Sequence, residues 1–142
     1  MSAYKKIECE IVDKDCLLEA LKLLDLDPNL YDVPEQLRGY MGDLRNEKAH
    51  IIIRKEKLDK MYTGLSNDIG FLWDEINQKY EFICSDYDKS KKMDLRIIQA
   101  YAKVVLEQAL EKNGFKIKVN ISEDVLRSRQ LQDIEFSAKK LI

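Results

Sequence analysis

Histidine is nearly absent from this 142-residue chain: His50 stands alone, and the three cysteines, Cys9, Cys16 and Cys84, form no CxxC spacing. So few nitrogen and sulfur ligands exclude a structural zinc site, and an odd cysteine count gives no disulfide framework. Each cysteine lies in an apolar pattern where a reduced thiol serves as a small hydrophobe. A thiol nucleophile needs a nearby base, and His50 opens the run Ile51-Ile52-Ile53, a strand-end position rather than a catalytic one. Charge of one sign is missing too. The chain has 24 Lys and Arg against 26 Asp and Glu, a formal net charge of -2, so no global field draws in nucleic acid or anionic lipid. No apolar run reaches the roughly eighteen residues of a membrane span, and residues 1–6 lack the apolar core of a secretion signal. The expectation is a cytoplasmic protein with no membrane partner and no nucleic-acid partner.

What is present is a hydrophobic fraction of 45%, enough for one core in a single domain over 1–142. Tyr4 to Val12 alternates as a first strand. Asp13 or Asp15 then caps a helix striped by Leu17, Leu18, Ala20, Leu21 and Leu24, which Pro28 ends. Two prolines, Gly39 and Gly42 break the pattern over 27–45, read as a long irregular loop or a short irregular hairpin. Ala49 to Ile53 is a short strand buried on both faces. Ile69, Phe71 and Trp73, then Tyr80, Phe82 and Cys84, have the period-two spacing of a hairpin turning at Asn77-Gln78. After a cap at Asp88 or Ser90, Met93, Ile97, Ile98, Tyr101, Val104, Val105 and Leu110 recur at helical spacing until Asn113-Gly114. Phe115 to Ile121 and Ile134 to Ala138 read as two last strands joined by a charged connection over 122–132. The order β-α-β-β-β-α-β-β predicts an α+β fold: one antiparallel or mixed sheet with two helices on one face, loosely ferredoxin-like.

The hairpin centred on Asn77-Gln78 places Asp68 opposite Asp86 or Tyr87 and gathers carboxylates where the strands part. Asp68, Asp86 and Asp88 are candidates to hold a divalent cation, with Asn67 and Ser85 adding oxygens. The structural alternative is that these residues close turns and cap backbone amides. Nothing nearby in sequence supplies a nucleophile, so no catalytic residue is assigned. Gly39, Tyr40, Gly42, Asp43 and Arg45 form a second candidate loop, able to grip a phosphate or a partner carboxylate, or else a tight turn in which Arg45 pairs with Asp43 or Glu47. It lacks P-loop spacing. Trp73 with Leu72 and Ile76 is a candidate exposed anchor at the hairpin tip. Lys116, Lys118, Arg127, Arg129, Lys139 and Lys140, diluted by acidic neighbours, are a weak candidate for an RNA-binding face.

The strings Gly39-Tyr40-Met41-Gly42-Asp43-Leu44-Arg45, Ala49-His50-Ile51-Ile52-Ile53, Ser66-Asn67-Asp68-Ile69-Gly70-Phe71 and Ile83-Cys84-Ser85-Asp86-Tyr87-Asp88, in that order, resemble the family called domain of unknown function twelve-fifty-seven. That family includes a hypothetical reading frame of algal plastids and bacterial and phage proteins. The resemblance implies an accessory or adaptor protein, since members are commonly encoded near ATPases of the AAA class. The expectation is therefore a non-catalytic protein-interaction module. Recognition would use Gly39, Tyr40, Gly42, Asp43, Arg45, Asn67, Asp68, Ser85, Asp86 and Tyr87. Two alternatives stand beside it: a metal-dependent hydrolase or small-ligand-binding protein with a cation on Asp68, Asp86 and Asp88, and an RNA-binding protein. No cofactor is expected beyond that cation.

Overall fold

Alternation along β1 (Tyr4–Ile11) leaves Ile7, Cys9 and Ile11 turned inward and Lys6, Glu8 and Glu10 in solvent, as a strand with one covered face requires. The computed structural model describes residues 2–61 and 65–112. Asp13 caps α1 (Lys14–Leu23), its carboxylate accepting from Cys16 N at 3.0 Å. The helix stops before Pro28. Asp25 adopts a left-handed φ of 57°, and Leu26 N and Asp25 N donate back to Leu21 O and Lys22 O, a Schellman closure that satisfies the last carbonyls.

The segment expected as an irregular loop over 27–45 is instead mostly paired, as the hairpin of β2 (Asn29–Arg38) and β3 (Leu44–Ile53). Its register explains the missing periodicity. Leu30 pairs with Ile51 and Glu35 with Ala49, so five steps on β2 match two on β3 and the surplus bulges out around Pro34. A strand at the sheet edge loses no ladder bond to proline. A one-turn helix α2 (Lys55–Leu58) leads to β4 (Ile69–Asp74) and β5 (Lys79–Ser85), joined by a four-residue turn. That turn is one residue earlier in centre than Asn77-Gln78, so Gly70 pairs with Ile83 and Asp74 with Lys79. Asp74 accepts from the amides of Ile76 and Asn77 and shapes it, while Gln78 takes the positive φ.

Ser85, not Asp88 or Ser90, is the cap that follows, and it opens the short α3 (Asp86–Ser90) before α4 (Met93–Lys112). The strand order is β1-β5-β4-β3-β2, and every pairing is antiparallel. β2 to β5 form a simple meander, and β1 joins it beside β5. Among the described residues β1 is thus an edge strand, and the ferredoxin-like plan, which interleaves strands through crossovers, is not what they show. The reason lies in α1: ten residues rise about 15 Å, so with its flanking turns it carries the chain from one sheet edge to the other.

α1 and α4 lie together on one face. Leu17, Leu21, Ile97, Tyr101 and Val104 meet Ile51, Ile53, Ile69, Phe71 and Phe82 in the main core. Phe71 and Phe82, register partners, have centroids 4.6 Å apart. Each such side chain contributes roughly 1.5–3 kcal/mol by leaving water. Tyr101 also ties the layers, its hydroxyl accepting from Val12 N and Asp13 N, both at 3.1 Å. The opposite face carries a smaller cluster of Leu37, Ala49, Ile52 and Ile83. The fold is α+β. The strands expected at Phe115–Ile121 and Ile134–Ala138, the connection 122–132 and the Asn113-Gly114 stop lie outside the described residues. No described helix is long and apolar enough to cross a membrane.

Candidate functional site

Ser66, Asn67 and Asp68 enter β4 with no exposed surface to speak of, and burial decides what their polar atoms do. A buried carboxylate needs donors on both oxygens. Asp68 Oδ1 accepts from Lys55 N at 2.8 Å, and Oδ2 accepts from Arg38 N at 2.8 Å and Arg54 Nη1 at 2.6 Å. Asp68 N donates in turn to Arg38 O. Asp68 therefore holds the end of β2 and the start of α2 together. Arg54 is aligned by Tyr31, whose hydroxyl accepts from Nη2 at 3.0 Å beneath a stacked guanidinium. Burial alone pushes the Arg54 pKa down, but the bonds to Tyr31 and Asp68 outweigh it and the net shift is upward, so the ion pair persists.

Asn67 bridges the other side. Its Oδ1 accepts from Tyr40 N at 2.9 Å, and its Nδ2 donates to Ser85 Oγ at 3.0 Å. Ser85 Oγ also accepts from Asp88 N and donates to Asp88 Oδ2 at 2.7 Å, which uses the hydroxyl's one donor and both lone pairs. Ser85 thus caps α3, and Asn67 N adds a second donor to Asp88 Oδ2 at 3.0 Å. The two acidic strings expected to converge do so, and the Gly39 to Arg45 loop joins them through Tyr40 and Arg38.

The convergence does not bring Asp68, Asp86 and Asp88 together as cation ligands among the described residues. Asp68 and Asp88 are spent on backbone and hydroxyl donors, Asp86 points to solvent and pairs with Lys5 at 3.7 Å, and among the described residues no three His, Cys, Asp or Glu side chains are grouped to hold a metal. The reason is desolvation: carboxylates buried at strand ends are neutralised by the chain's own amides before a cation is needed. Nor is the loop a phosphate cradle. Gly39 N donates to Asp43 O, Gly42 N to Gly39 O and Tyr40 N to Asn67, so these three amides are spent within the chain. Gly42 supplies the positive φ of 80°. Arg45 pairs with neither Asp43 nor Glu47; it donates to Ser2 O at 2.8 Å and stacks over Tyr4. Burial first, and the negative charge of Asp68 second, raise the Tyr4 pKa and keep the phenol protonated. Tyr87 N donates to Ser2 Oγ and Asp86 N to Ala3 O, which fastens residues 2–4 against α3.

The tip of the β2–β3 hairpin is the part that meets solvent. Met41 is 73% and Leu44 65% exposed, above a turn fixed from beneath by Asn67 and Asp68. Sequence reasoning named the turn and omitted these two side chains, although both stand inside the string it quoted. The expected anchor at the other hairpin does not assemble: Trp73 packs edge-on to Tyr80 in the helix-side core, Leu72 lies on the opposite face, and Ile76 stands alone. The basic stripe from Lys116 onward is outside the described residues.

Residues 20–138 match the model of a family described as "Protein of unknown function (DUF1257)". The chain belongs to that family. The DUF1257 chain is also 28% identical over 116 residues to "Myosin type-2 heavy chain 2" of Schizosaccharomyces pombe, a stretch covering 74% of this chain and 5% of the myosin. The chain thus spans only a small fraction of that relative's length, and the likeness carries no functional argument. No solved structure matches the DUF1257 chain.

Proposed function

We propose that this protein is a non-catalytic accessory module of the cytoplasm that docks on a larger protein through the tip of its β2–β3 hairpin. One observation supports this best: an apolar pair, Met41 and Leu44, is held out in solvent by a turn whose backbone is pinned by buried side chains. A preorganised loop loses little freedom on binding, which is where docking loops usually forfeit affinity. Thioether flexibility also lets Met41 fit an apolar pocket of a partner. In this reading the Asn67, Asp68, Ser85 and Asp88 network is the mount and the hairpin tip is the contact. The partner class follows the resemblance already described, an AAA-class ATPase.

The test is to express tagged protein in its native host and quantify by mass spectrometry the ATPase that co-purifies at physiological salt. Met41→Asp and Leu44→Asp should each abolish a stoichiometric ATPase while leaving the melting temperature unchanged. Ile76→Asp, on the far hairpin, should retain it. An ATPase held equally by all three variants, or by none including the parent, rejects the reading.

A further inference from the structure

We propose that the chain carries a binding site for an uncharged, planar heteroaromatic molecule of nucleobase or nucleoside size, in a cavity between the start of α1, the bulged part of β2–β3 and the β4–β5 turn. Its volume is about 480 Å³, and Tyr31, His50, Trp73 and Tyr80 form its inner wall. Cavities that hold small ligands run from about 300 to 1,000 Å³ and pair aromatic walls with a few convergent polar groups. The only histidine and the only tryptophan of the chain both stand here.

The polar groups are what set this cavity apart from a packing defect. Tyr80 as a residue is only 6% exposed, but its hydroxyl is not among the buried polar atoms left without a partner, and neither is Trp73 Nε1, so both polar atoms reach the open side of the cavity with no protein partner among the described residues. His50 is committed on one side: Nδ1 accepts from the backbone N–H of Trp73 at 3.1 Å, which puts the neutral ring's proton on Nε2. Nε2 has no partner among the described residues. The arrangement lies where the β3–β4 ladder stops at Ile51 and Phe71: Ala49 shares the Ile52 face although three residues away, so the alternation breaks at His50, and the Trp73 amide of β4 donates to its imidazole. Bulges re-aim side chains in this way beside binding sites.

Three groups with hydrogens to donate, Trp73 Nε1–H, His50 Nε2–H and the Tyr80 hydroxyl, suit ring nitrogens and carbonyl oxygens. The edge-on pair Trp73 and Tyr80, centroids 4.8 Å apart, gives the wall aromatic surface for a flat ring, and Tyr31, one face of which carries the Arg54 guanidinium, borders it. At the rim Lys14 is opposed by Asp32 and Glu75, so the mouth favours a neutral ligand over a phosphorylated one.

The full chain is titrated with 2-aminopurine riboside, whose fluorescence falls on stacking, and with adenosine while the emission of Trp73, the sole tryptophan, is followed at the red edge of its absorption. The expected result is saturable quenching of both fluorophores, competition between the two nucleosides, and weaker binding of adenosine monophosphate. Two variants test the wall. His50→Asn keeps an acceptor for Trp73 N–H and removes the Nε2–H, and Tyr80→Phe keeps the ring and removes the hydroxyl. Each should weaken binding about tenfold, the measure of one lost hydrogen bond in a buried site. Absence of saturable quenching of Trp73 by adenosine overturns the proposal without recourse to any variant. So does an affinity unchanged in both variants at parental melting temperature. The hairpin tip shares no residue with this wall, so either reading can fail alone.

Discussion

Replacing Asp68 by Asn should cost the fold about 3 kcal/mol, the lower end of what breaking a buried ion pair costs. The carboxylate satisfies three donors on two oxygens, Lys55 N on one and Arg38 N with Arg54 Nη1 on the other. An amide has one acceptor oxygen, so in either orientation its NH2 faces a backbone N–H and orphans it, worth roughly 1–3 kcal/mol. Arg54, whose side chain is 17% exposed, loses its counter-charge in both orientations, and where the NH2 takes the Oδ2 place it keeps only the Tyr31 hydroxyl and a long contact to Gln36 O. Water reaches part of that guanidinium, which is why the lower end applies. For a domain of this size the loss lowers the melting temperature by roughly 6–12 °C. Urea unfolding followed by circular dichroism gives the value, with Asp86→Asn as the internal control. Asp86 and Lys5 are about half exposed and 3.7 Å apart, so that variant should stay within about 0.5 kcal/mol of the parent. Asp68→Asn as stable as the parent, or no more destabilised than Asp86→Asn, would refute the structural role and return Asp68 to the list of binding residues.

Gly70→Ala should destabilise by about 1–3 kcal/mol, because a Cβ there would lie 2.7 Å from Ala49 Cβ and 2.9 Å from Leu37 Cδ2; adding Ala49→Gly should restore part of it, and no rescue in thermal melts would count against the contact. Tyr101→Phe should cost about 2 kcal/mol in urea midpoint stability by stranding Val12 N and Asp13 N at the sheet–helix junction. At neutral pH a thiol reagent should label half-exposed Cys9 first, since burial pushes the Cys16 thiol up to about 12 and Cys84 well above its usual value. Because the native Cys16 thiol holds its proton more tightly than the unfolded one, its contribution is complete below pH 9.0 and is lost as pH rises toward 12; alkaline melts of the parent and Cys16→Ala should converge over that window. Burial also raises the Asp94 carboxyl, so stability from that group falls as pH climbs through the carboxylate range, and Asp94→Asn should gain on the parent at neutral pH and lose the advantage in acid.

Local periodicity carried much of the fold. Ile69, Phe71, Trp73, Tyr80, Phe82 and Cys84, chosen by alternation alone, all face the helices, and the stripes of α1 and α4 are buried as spaced. Such signals are legible because a strand or helix places its own neighbours on one side whatever it packs against. The β2–β3 hairpin was not legible as paired strands, since its bulges destroy alternation and only the partner strand reveals the register. The same limit applies to the acidic strings. Their convergence could be read from hairpin geometry, but whether Asp68 meets a cation or the chain's own donors depends on Arg38, thirty residues away, and on Arg54. Met41 and Leu44 were in plain view as residues, yet exposure is a property of the finished surface. With one histidine and three cysteines in no CxxC spacing, composition alone argued against a zinc site and a disulfide framework, and alternation determined which side chains form the core. Tertiary structure decided the strand order, the burial that turns carboxylates into fasteners, and the cavity that joins His50, Trp73 and Tyr80, because desolvation and pairing act between segments that sequence spacing does not relate.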